Sequence, residues 1–214
     1  YTATALISSV TGGQAKTTNY TLTNATSTFK INARAITVTA DSASKVYDGT
    51  ALTKSAASVT SGSLVSGHTL SYTITGTITN VGSVTNTISN VKVLSGSTDM
   101  SSNYTITSKN GTLTISARTI DKDMITLSYT SIPYDGSAKT PSVTVKIGTT
   151  IVANTNYTIT YSNNTNVGTA TVTVTGKTNL TGSASKTFTI VASSGMVNFD
   201  ANGGDCSETS RNIS

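Results

Sequence analysis

Apolar side chains alternate with Thr and Ser along most of the chain. The clearest runs are Ile36/Val38, Leu70/Tyr72/Ile74, Val91/Val93, Leu113/Ile115, Ile125/Leu127/Tyr129, Val143/Val145/Ile147, Tyr157/Ile159/Tyr161, Ala170/Val172/Val174 and Phe188/Ile190. Because successive side chains of a strand point to opposite faces, each run predicts a strand with one apolar face and one hydroxyl-bearing face. Three pairs between the runs predict hairpin turns: Asp48-Gly49, Asn110-Gly111 and Asp135-Gly136.

The composition excludes a helical fold. Thr is the commonest residue, and Thr, Val, Ile and Tyr favour strands because their side chains suit a pleated, half-buried surface. Only 11% of residues are charged, and the chain has a single Gln (Gln14) and a single Glu (Glu208), although helix surfaces need such residues in number. We therefore predict an all-β protein with little helix, limited to one short turn near Gly96 to Ser102.

Internal repeats organise the chain. NYTLTNATSTFKINAR at 19–34 returns as NYTITSKNGTLTISAR at 103–118, with the apolar positions in register. VYDGT at 46–50 returns as PYDGS at 133–137, and an Asn-Val-Gly triplet occurs at both 80–82 and 166–168. These echoes predict four units: the second half of a module at 1–35, a complete module at 36–118, a related β-sandwich at 119–192, and a linker opening a further repeat at 193–214.

At these motifs the chain resembles modules of large bacterial surface proteins. Residues 36–118, with KVYDGT and NYTIT…GTLTISAR, resemble the "mostly β-grasp" (MBG) domain, and residues 1–35 resemble its second half. Residues 119–192, with PYDGSAKTP and NYTITYSNNTNVGTATVTVTG, resemble a bacterial Ig-like module. VNFDANGG at 197–204 is similar to the start of the Listeria–Bacteroides repeat, also known as the B repeat of internalins. The resemblance implies β-grasp-like and Ig-like modules in tandem, display on a bacterial cell surface or cell wall, and a stalk or adhesion role.

Charge and cysteine content narrow the possible partners. The net charge of +5 comes from 14 basic and 9 acidic residues spread thinly along the chain, whereas a nucleic-acid-binding protein concentrates its basic residues. Cys206 is the single cysteine, so no disulfide can form within the chain. No apolar run approaches the roughly 20 residues that span a bilayer. We predict no nucleic-acid binding and no membrane insertion in this segment, and expect any signal peptide or anchor to lie outside it.

Candidate catalytic and metal-binding residues are few. His68 is the only histidine, and one imidazole in SGHTL does not define a catalytic triad. Asp121 and Asp123 flank Lys122 as a weak calcium-site pattern, for which a solvated linker is the better interpretation. The Gly-Gly pairs at 12–13 and 203–204 lack the Lys and helix of a phosphate site and predict turns. We predict no enzyme activity, no cofactor and no metal.

The recurring Tyr-Asp-Gly motif is interpreted as a structural turn rather than a contact site. In Tyr47-Asp48-Gly49 and Tyr134-Asp135-Gly136 the Asp side chain would cap its own turn. The Gly would adopt a positive φ angle, and the Tyr would bury its ring beneath the turn.

Two further possibilities concern surfaces and cross-links. Thr-rich faces, such as Thr169/Thr171/Thr173/Thr175, could bind ice or glycan if their hydroxyls formed regular rungs on neighbouring strands, which the irregular modules do not predict. Lys–Asn or Thr–Gln cross-links are disfavoured because the intact modules lack Gln and Glu, which leaves only an Asp-assisted bond open. We predict a non-catalytic stalk or spacer in adhesion that contacts neighbouring modules of its own chain. A host glycan or surface protein would be reached through the full-length parent. The alternative is a module that itself binds carbohydrate or mucin.

Overall fold

The chain folds almost entirely as β-strands. The computed structural model describes residues 2–3, 27–28, 30–193, 195–198 and 210–213. The predicted half module at 1–35 and the repeat at 193–214 therefore lie largely outside the described residues, as do Gln14, both Gly-Gly pairs, Cys206 and Glu208. Within these described residues, helix is limited to three single-turn 3-10 segments, at Ser101–Asn103, Lys122–Met124 and Asn154–Asn156. The prediction of an all-β protein with little helix is confirmed.

Strand bounds follow the alternating pattern of the sequence. The strands are β1 (Thr2–Ala3), β2 (Ser27–Thr28), β3 (Arg34–Ala40), β4 (Ala43–Val46), β5 (Ala57–Ser61), β6 (His68–Thr75), β7 (Gly82–Ser95), β8 (Thr98–Asp99), β9 (Tyr104–Lys109), β10 (Gly111–Ser116), β11 (Arg118–Thr119), β12 (Ile125–Leu127), β13 (Ser131–Pro133), β14 (Val143–Ile147), β15 (Thr150–Ile151), β16 (Tyr157–Ser162), β17 (Gly168–Gly176), β18 (Leu180–Thr181), β19 (Ser183–Val191), β20 (Gly195–Asn198) and β21 (Ser210–Ile213). In β3, for example, Ile36, Val38 and Ala40 are buried while the Thr residues between them are half-buried.

Strands β3–β10 form a first sandwich. One sheet has the order β5-β3-β9, and the other has the order β4-β10-β7-β6 with β8 added to β7. The long strand β7 pairs with β10 over its first five residues and with β6 over the rest. Val38 and Val93, both fully buried, lie at the centre of the core between the sheets, together with Ile36, Ala40, Ile88 and Tyr104.

Strands β12–β19 form a second sandwich. Its main sheet has the order β13-β19-β17-β16, and β12-β14-β15 form the smaller sheet. Ala170, Val172, Phe188 and Ile190 make the core of the main sheet, and the ring of Tyr129 meets Phe188 edge-on. β11 pairs in parallel with β18, so the boundary predicted after Arg118 falls inside a two-residue strand that hydrogen-bonds to the second sandwich.

The two sandwiches have the same strand pairing around the ends of their last strands, β10 and β19. In the first, β4 runs parallel to β10 with Val46 opposite Ser116, and Gly82 of β7 lies opposite Ile115. In the second, β13 runs parallel to β19 with Pro133 opposite Val191, and Gly168 of β17 lies opposite Ile190. We call this part of each sandwich its exit end. It contains the Tyr-Asp-Gly turn, the Asn-Val-Gly triplet and the end of the last strand.

Candidate functional site

The Tyr-Asp-Gly turn of the first sandwich closes on its own carboxylate. The Asp48 Oδ1 atom accepts hydrogen bonds from the Thr50 amide at 2.9 Å and the Thr50 hydroxyl at 2.7 Å, and it pairs with the Lys45 ammonium at 2.7 Å. The Lys45 ion pair, followed by the Thr50 hydrogen bonds, holds the pKa of Asp48 well below its usual value. Gly49 has φ +82°, which non-glycine side chains disfavour.

The second copy of the turn has the same design with a different lysine. The Asp135 Oδ1 atom accepts from the Ser137 amide at 2.9 Å and pairs with the buried Lys139 ammonium, and the φ angle of Gly136 is +84°. The Lys139 contact lowers the pKa of Asp135. Self-capping by Asp and the positive φ angle of Gly thus occur in both copies.

The two tyrosines differ. Tyr47 is 8% exposed, as expected of a ring beneath its turn, but Tyr134 is 38% exposed. An added Cβ on Gly49 would lie 3.1 Å from the Thr150 methyl of the second sandwich, whereas one on Gly136 would have no neighbour within 4 Å. The expectation of a buried ring therefore fails at Tyr134, because Tyr47 packs into an apolar cluster with residues of the second sandwich, whereas Tyr134 belongs to none of the apolar clusters of the described residues.

Part of the first exit end belongs to a core shared by both sandwiches. Tyr47 and Ile115 of the first sandwich cluster with Ile125, Val145 and Tyr157 of the second. The remaining buried members are Ile120, Val152, Val174 and Leu180, with Leu52 and Ile78 packed against them. Burial of apolar side chains stabilises by about 25 cal/mol per Å², so the shared core resists separation of the two units.

Asn179 connects the two sandwiches through both ends of its side-chain amide. Its Oδ1 atom accepts from the Val81 backbone amide at 2.7 Å, and its Nδ2 atom donates to Asn80 Oδ1 at 3.0 Å and to Asn156 Oδ1 at 2.9 Å. Asn179 is 8% exposed and Asn156 5% exposed, so loss of these bonds would leave buried polar groups without partners. We call the shared core together with these bonds the joint.

The connection between the sandwiches is itself part of the joint. The Arg118 Nε atom donates to the Tyr47 carbonyl at 2.6 Å, and the Arg118 amide donates to the Asn179 carbonyl at 3.1 Å. Two residues on, the Ile120 amide donates to the Thr181 carbonyl at 2.9 Å. The connection that follows β10 is therefore hydrogen-bonded to the second sandwich from Arg118 onward, so it is not a loose linker.

Sequence reasoning missed most of this site. The Tyr-Asp-Gly and Asn-Val-Gly echoes pointed to Tyr47 and Val81, but as elements of a fold plan rather than of a contact. Asn179 and Asn156 lie in a sequence rich in Asn, so no local pattern singles them out. Arg118 had one available signal, since the chain has only three arginines and one of them ends the predicted module.

A second candidate surface is the exposed face of the β16-β17-β19 sheet. Its hydroxyls are in register across the three strands: Thr158/Thr175/Ser183, Thr160/Thr173/Ser185 and Ser162/Thr171/Thr187, with Thr169/Thr189 beyond them. The Thr173 and Ser185 hydroxyls are 2.9 Å apart, and those of Thr175 and Ser183 are 3.0 Å apart. The irregularity expected from the sequence is therefore absent here, because continuous antiparallel pairing holds the alternation in register.

Two clefts accompany these surfaces. One, of about 550 Å³, lies along the joint and is lined by Tyr47, Asn80, Val81, Ala153, Thr155, Asn156, Thr178 and Asn179. The other, of about 470 Å³, is formed by residues 163–169, which comprise the loop after β16 and the first two residues of β17, and Asn and Thr side chains make up most of its lining. Both are open to solvent, and only the second is predominantly polar.

The remaining candidate residues have structural contacts. His68 Nδ1 lies 2.7 Å from the Tyr104 hydroxyl, which also accepts from the Val65 amide. Asp121 accepts from the Asp123 amide at 2.8 Å and caps the 3-10 turn that begins at Lys122. Across the described ranges, no three His, Cys, Asp or Glu side chains gather in a metal-binding arrangement. In the same residues no helix is long and apolar enough to cross a membrane.

Comparison with known proteins finds no relative of this chain. No family model matches the chain, and neither a curated protein nor a solved structure gives a significant match.

Proposed function

We propose that this chain is a non-catalytic tandem-repeat segment of a bacterial cell-surface protein, in which it acts as an extended stalk or spacer in adhesion. The joint carries the proposal. A flexible array of modules needs only a loose linker, whereas a spacer that holds a distance needs neighbouring modules fixed to each other. Here the linker is hydrogen-bonded from Arg118 onward. The two sandwiches also share an apolar core, and the buried Asn179 side chain of the second hydrogen-bonds to Asn80 and Val81 of the first.

The position of the joint on the second sandwich supports an extended arrangement. The joint uses the end where β16 begins at Tyr157 and β17 finishes at Gly176, which are paired with each other. The exit end of the same sandwich lies at the other ends of these strands, beside Ser162 and Gly168. A module that receives its predecessor at one end and releases its successor at the other extends the array with each repeat.

The resemblance of residues 36–118 to MBG domains and of residues 119–192 to Ig-like modules agrees with this role. Within the proposal the protein lies outside the cell, on the bacterial surface or cell wall. Its nearest partners are neighbouring modules of the same chain, and a host glycan or surface protein is contacted by the full-length parent.

Small-angle X-ray scattering on the full chain tests the proposal. A compact globule of this length would have a radius of gyration of about 17 Å. Three stacked modules, each roughly 35 Å long, form a rod whose radius of gyration is about 30 Å. We expect a value near the larger figure, and a value near the smaller one would contradict a spacer.

Direct carbohydrate or mucin binding is the second candidate, and the registered hydroxyl face favours it. Rungs about 4.8 Å apart across strands and about 7 Å apart along them present hydroxyls that can hydrogen-bond to sugars. A glycan array probed with the chain and with a Thr173→Val, Ser185→Ala variant tests this activity. Glycan binding by the chain that the variant lacks would support this activity. If no glycan on the array binds, direct carbohydrate binding is contradicted and the spacer role is the remaining candidate.

A further inference from the structure

The tetrapeptide Thr-Asn-Val-Gly occurs once in each sandwich, at 79–82 and at 165–168. Both copies lie in the loop that leads into the longest strand of their sandwich sheet, β7 in the first and β17 in the second. The glycines that end the two copies have similar backbone conformations, with φ angles of +142° at Gly82 and +135° at Gly168. Each glycine also lies opposite the last strand of its sandwich. The two copies therefore have the same place in the fold.

The two loops are also held alike at the residue before the tetrapeptide. Ile78 precedes the first copy and exchanges two backbone hydrogen bonds with Leu52, at 2.7 and 3.2 Å. Asn164 precedes the second copy; its carbonyl accepts from the Lys139 amide at 2.7 Å, and its side-chain amide donates to the Lys139 carbonyl at 2.9 Å. Because four identical residues are fixed at both ends by equivalent contacts, we expect both loops to present the same groups.

The first copy binds a primary carboxamide, the side chain of Asn179. The Val81 backbone amide can only donate, so the oxygen of this carboxamide must face it, at a distance of 2.7 Å. The nitrogen of the same carboxamide then donates to Asn80 Oδ1 at 3.0 Å. One donor and one acceptor from adjacent residues thus contact the oxygen and the nitrogen of a single planar CONH2 group.

The second copy presents the same donor and acceptor to an open cleft. Asn166 is exposed, Val167 is 54% exposed, and both line the cleft of about 470 Å³ formed by residues 163–169. The volume lies within the range of small-ligand sites, roughly 300–1,000 Å³. The lining residues are Asn, Thr, Val and Gly, all uncharged, which favours a neutral ligand group. Val81 stays 38% exposed with its amide occupied, so a side chain that reaches in from one side is enough to fill such a pair.

We infer that the Asn166 side chain and the Val167 backbone amide form a binding site for a primary carboxamide, supplied by an Asn or Gln side chain of a polypeptide partner. The Val167 N–H donates to the carboxamide oxygen, and Asn166 Oδ1 accepts from its nitrogen, as Val81 and Asn80 do for Asn179. In proteins, the primary carboxamide is found only on Asn and Gln side chains. The site goes beyond the spacer role because it adds a specific contact to a second polypeptide.

The geometry of the pair distinguishes a primary carboxamide from other amides. In CONH2 one N–H lies on the same side as the C=O, so both can face two adjacent residues. In a trans secondary amide, such as the peptide bond, the N–H points away from the C=O. The acetamido group of an N-acetylated sugar is also a secondary amide with this arrangement. Such a group can meet Val167 or Asn166, but not both at once.

Nuclear magnetic resonance titration of the ¹⁵N-labelled full chain tests the inference. The probe is Nα-acetyl-asparagine methylamide, and Nα-acetyl-aspartate methylamide is its matched control, because the aspartate side chain has no N–H to donate. We expect the Val167 amide signal to shift saturably with the asparagine probe, with a dissociation constant in about the millimolar range, since one pair of hydrogen bonds in an open cleft binds weakly. The aspartate probe should bind at least about tenfold more weakly. The Val81 amide, already bonded to Asn179, should not shift.

Two variants at one position separate hydrogen bonding from shape. Asn166→Ala removes the acceptor and should weaken binding of the asparagine probe by about tenfold. Asn166→Asp keeps an oxygen acceptor at this position and should retain that binding. Asn103→Ala, at an exposed Asn outside the cleft, is the control and should bind like the native chain.

The remaining outcomes overturn the inference. These are the absence of a saturable shift at Val167, equal binding of the two probes, or unchanged binding in Asn166→Ala. Tighter binding of N-acetylglucosamine at Val167 also overturns it, because a secondary amide would then be the ligand. Tighter binding of free L-asparagine or L-glutamine than of the capped probe overturns the polypeptide partner, since the source would be a free amino acid. None of these results changes the radius of gyration, which tests the proposed spacer separately.

Discussion

At the residue scale, a single turn motif has two different environments in this molecule. The Asp carboxylate and the positive φ angle of the Gly form the same turn in both copies, because these are local properties of three residues. The Tyr ring depends on what covers it, and only Tyr47 is buried. The motif therefore specifies a turn by itself and becomes part of an interface when another module packs on it.

Substituting the two turn glycines should separate these roles. Gly136→Ala is expected to destabilise the second sandwich by about 1 kcal/mol, because alanine disfavours a positive φ angle. Gly49→Ala should cost more, since its Cβ would also press on the Thr150 methyl 3.1 Å away across the joint. Chemical denaturation of both variants measures the difference. If both variants lose the same free energy of unfolding, the close approach to Thr150 does not contribute to stability.

The turn carboxylates predict acid sensitivity. The pKa values of Asp48 and Asp135 are lowered by their lysine partners, and hydrogen bonds from Ser101, with Lys92, lower the pKa of Asp99 to about 2. A carboxyl whose pKa is lower in the folded state contributes stability above its unfolded pKa, about 3.9, and loses it as the pH falls through the folded value.

We therefore expect urea midpoints to be steady from pH 7 to about pH 5 and to fall between about pH 4 and pH 2. An Asp48→Asn, Asp135→Asn variant should be less stable at neutral pH and should show a shallower fall. Midpoints that stay level or rise on acidification would contradict the assigned ion pairs.

At the element scale, two very short strands fix the connection between the two sandwiches. β11 and β18 have two residues each, yet their parallel pairing fixes the segment that connects the sandwiches. Asn179, directly before β18, bonds to Asn80 and Val81 of the first sandwich. Because the Asn179 side chain itself is buried, the joint has the directional character of hydrogen bonds as well as apolar area.

Removal of the Asn179 side chain should loosen the joint. Asn179→Ala removes the acceptor of the Val81 amide and one of the two donors to Asn156 Oδ1, which keeps the Thr178 hydroxyl, at a cost of about 1–3 kcal/mol. Calorimetry should show one transition for the two sandwiches in the native chain and a broadened or split transition in the variant. Asn103→Ala, at an exposed Asn before Tyr104, is the control and should leave the transition intact. A single unchanged transition in Asn179→Ala would mean that the shared core alone couples the sandwiches.

At the scale of the whole molecule, stability must come from packing, because the one cysteine cannot form an internal disulfide. Among the described residues three apolar clusters serve this purpose, and one of them crosses between the sandwiches. The buried Lys139 beside Asp135 is the place to look for a covalent cross-link. The lowered pKa of Asp135 keeps that carboxylate ionised, and an ionised carboxylate resists attack by an amine.

Intact-mass measurement should therefore return the mass of the sequence. A deficit of one water would reveal a Lys–Asp amide, and a deficit of one ammonia would reveal a Lys–Asn bond. An Asp135→Ala variant identifies the site if a deficit is found, since the loss of water would disappear with that carboxylate.

Local sequence determined the strands, the turns and the self-capping of Asp48 and Asp135, because period-two alternation and Asx-Gly chemistry act within a few residues. It also indicated that the exit ends are related, through the repeated Tyr-Asp-Gly and Asn-Val-Gly motifs. The tertiary structure alone decided which Tyr is buried and which Asn side chains bridge the sandwiches. Tyr47 and Tyr134 have similar neighbours in sequence, and Asn179 meets Asn80 across 99 positions, so these outcomes depend on contacts that no local pattern encodes. The registered hydroxyl rungs have the same origin, because alternation sets the face of each strand and only pairing aligns one strand with the next.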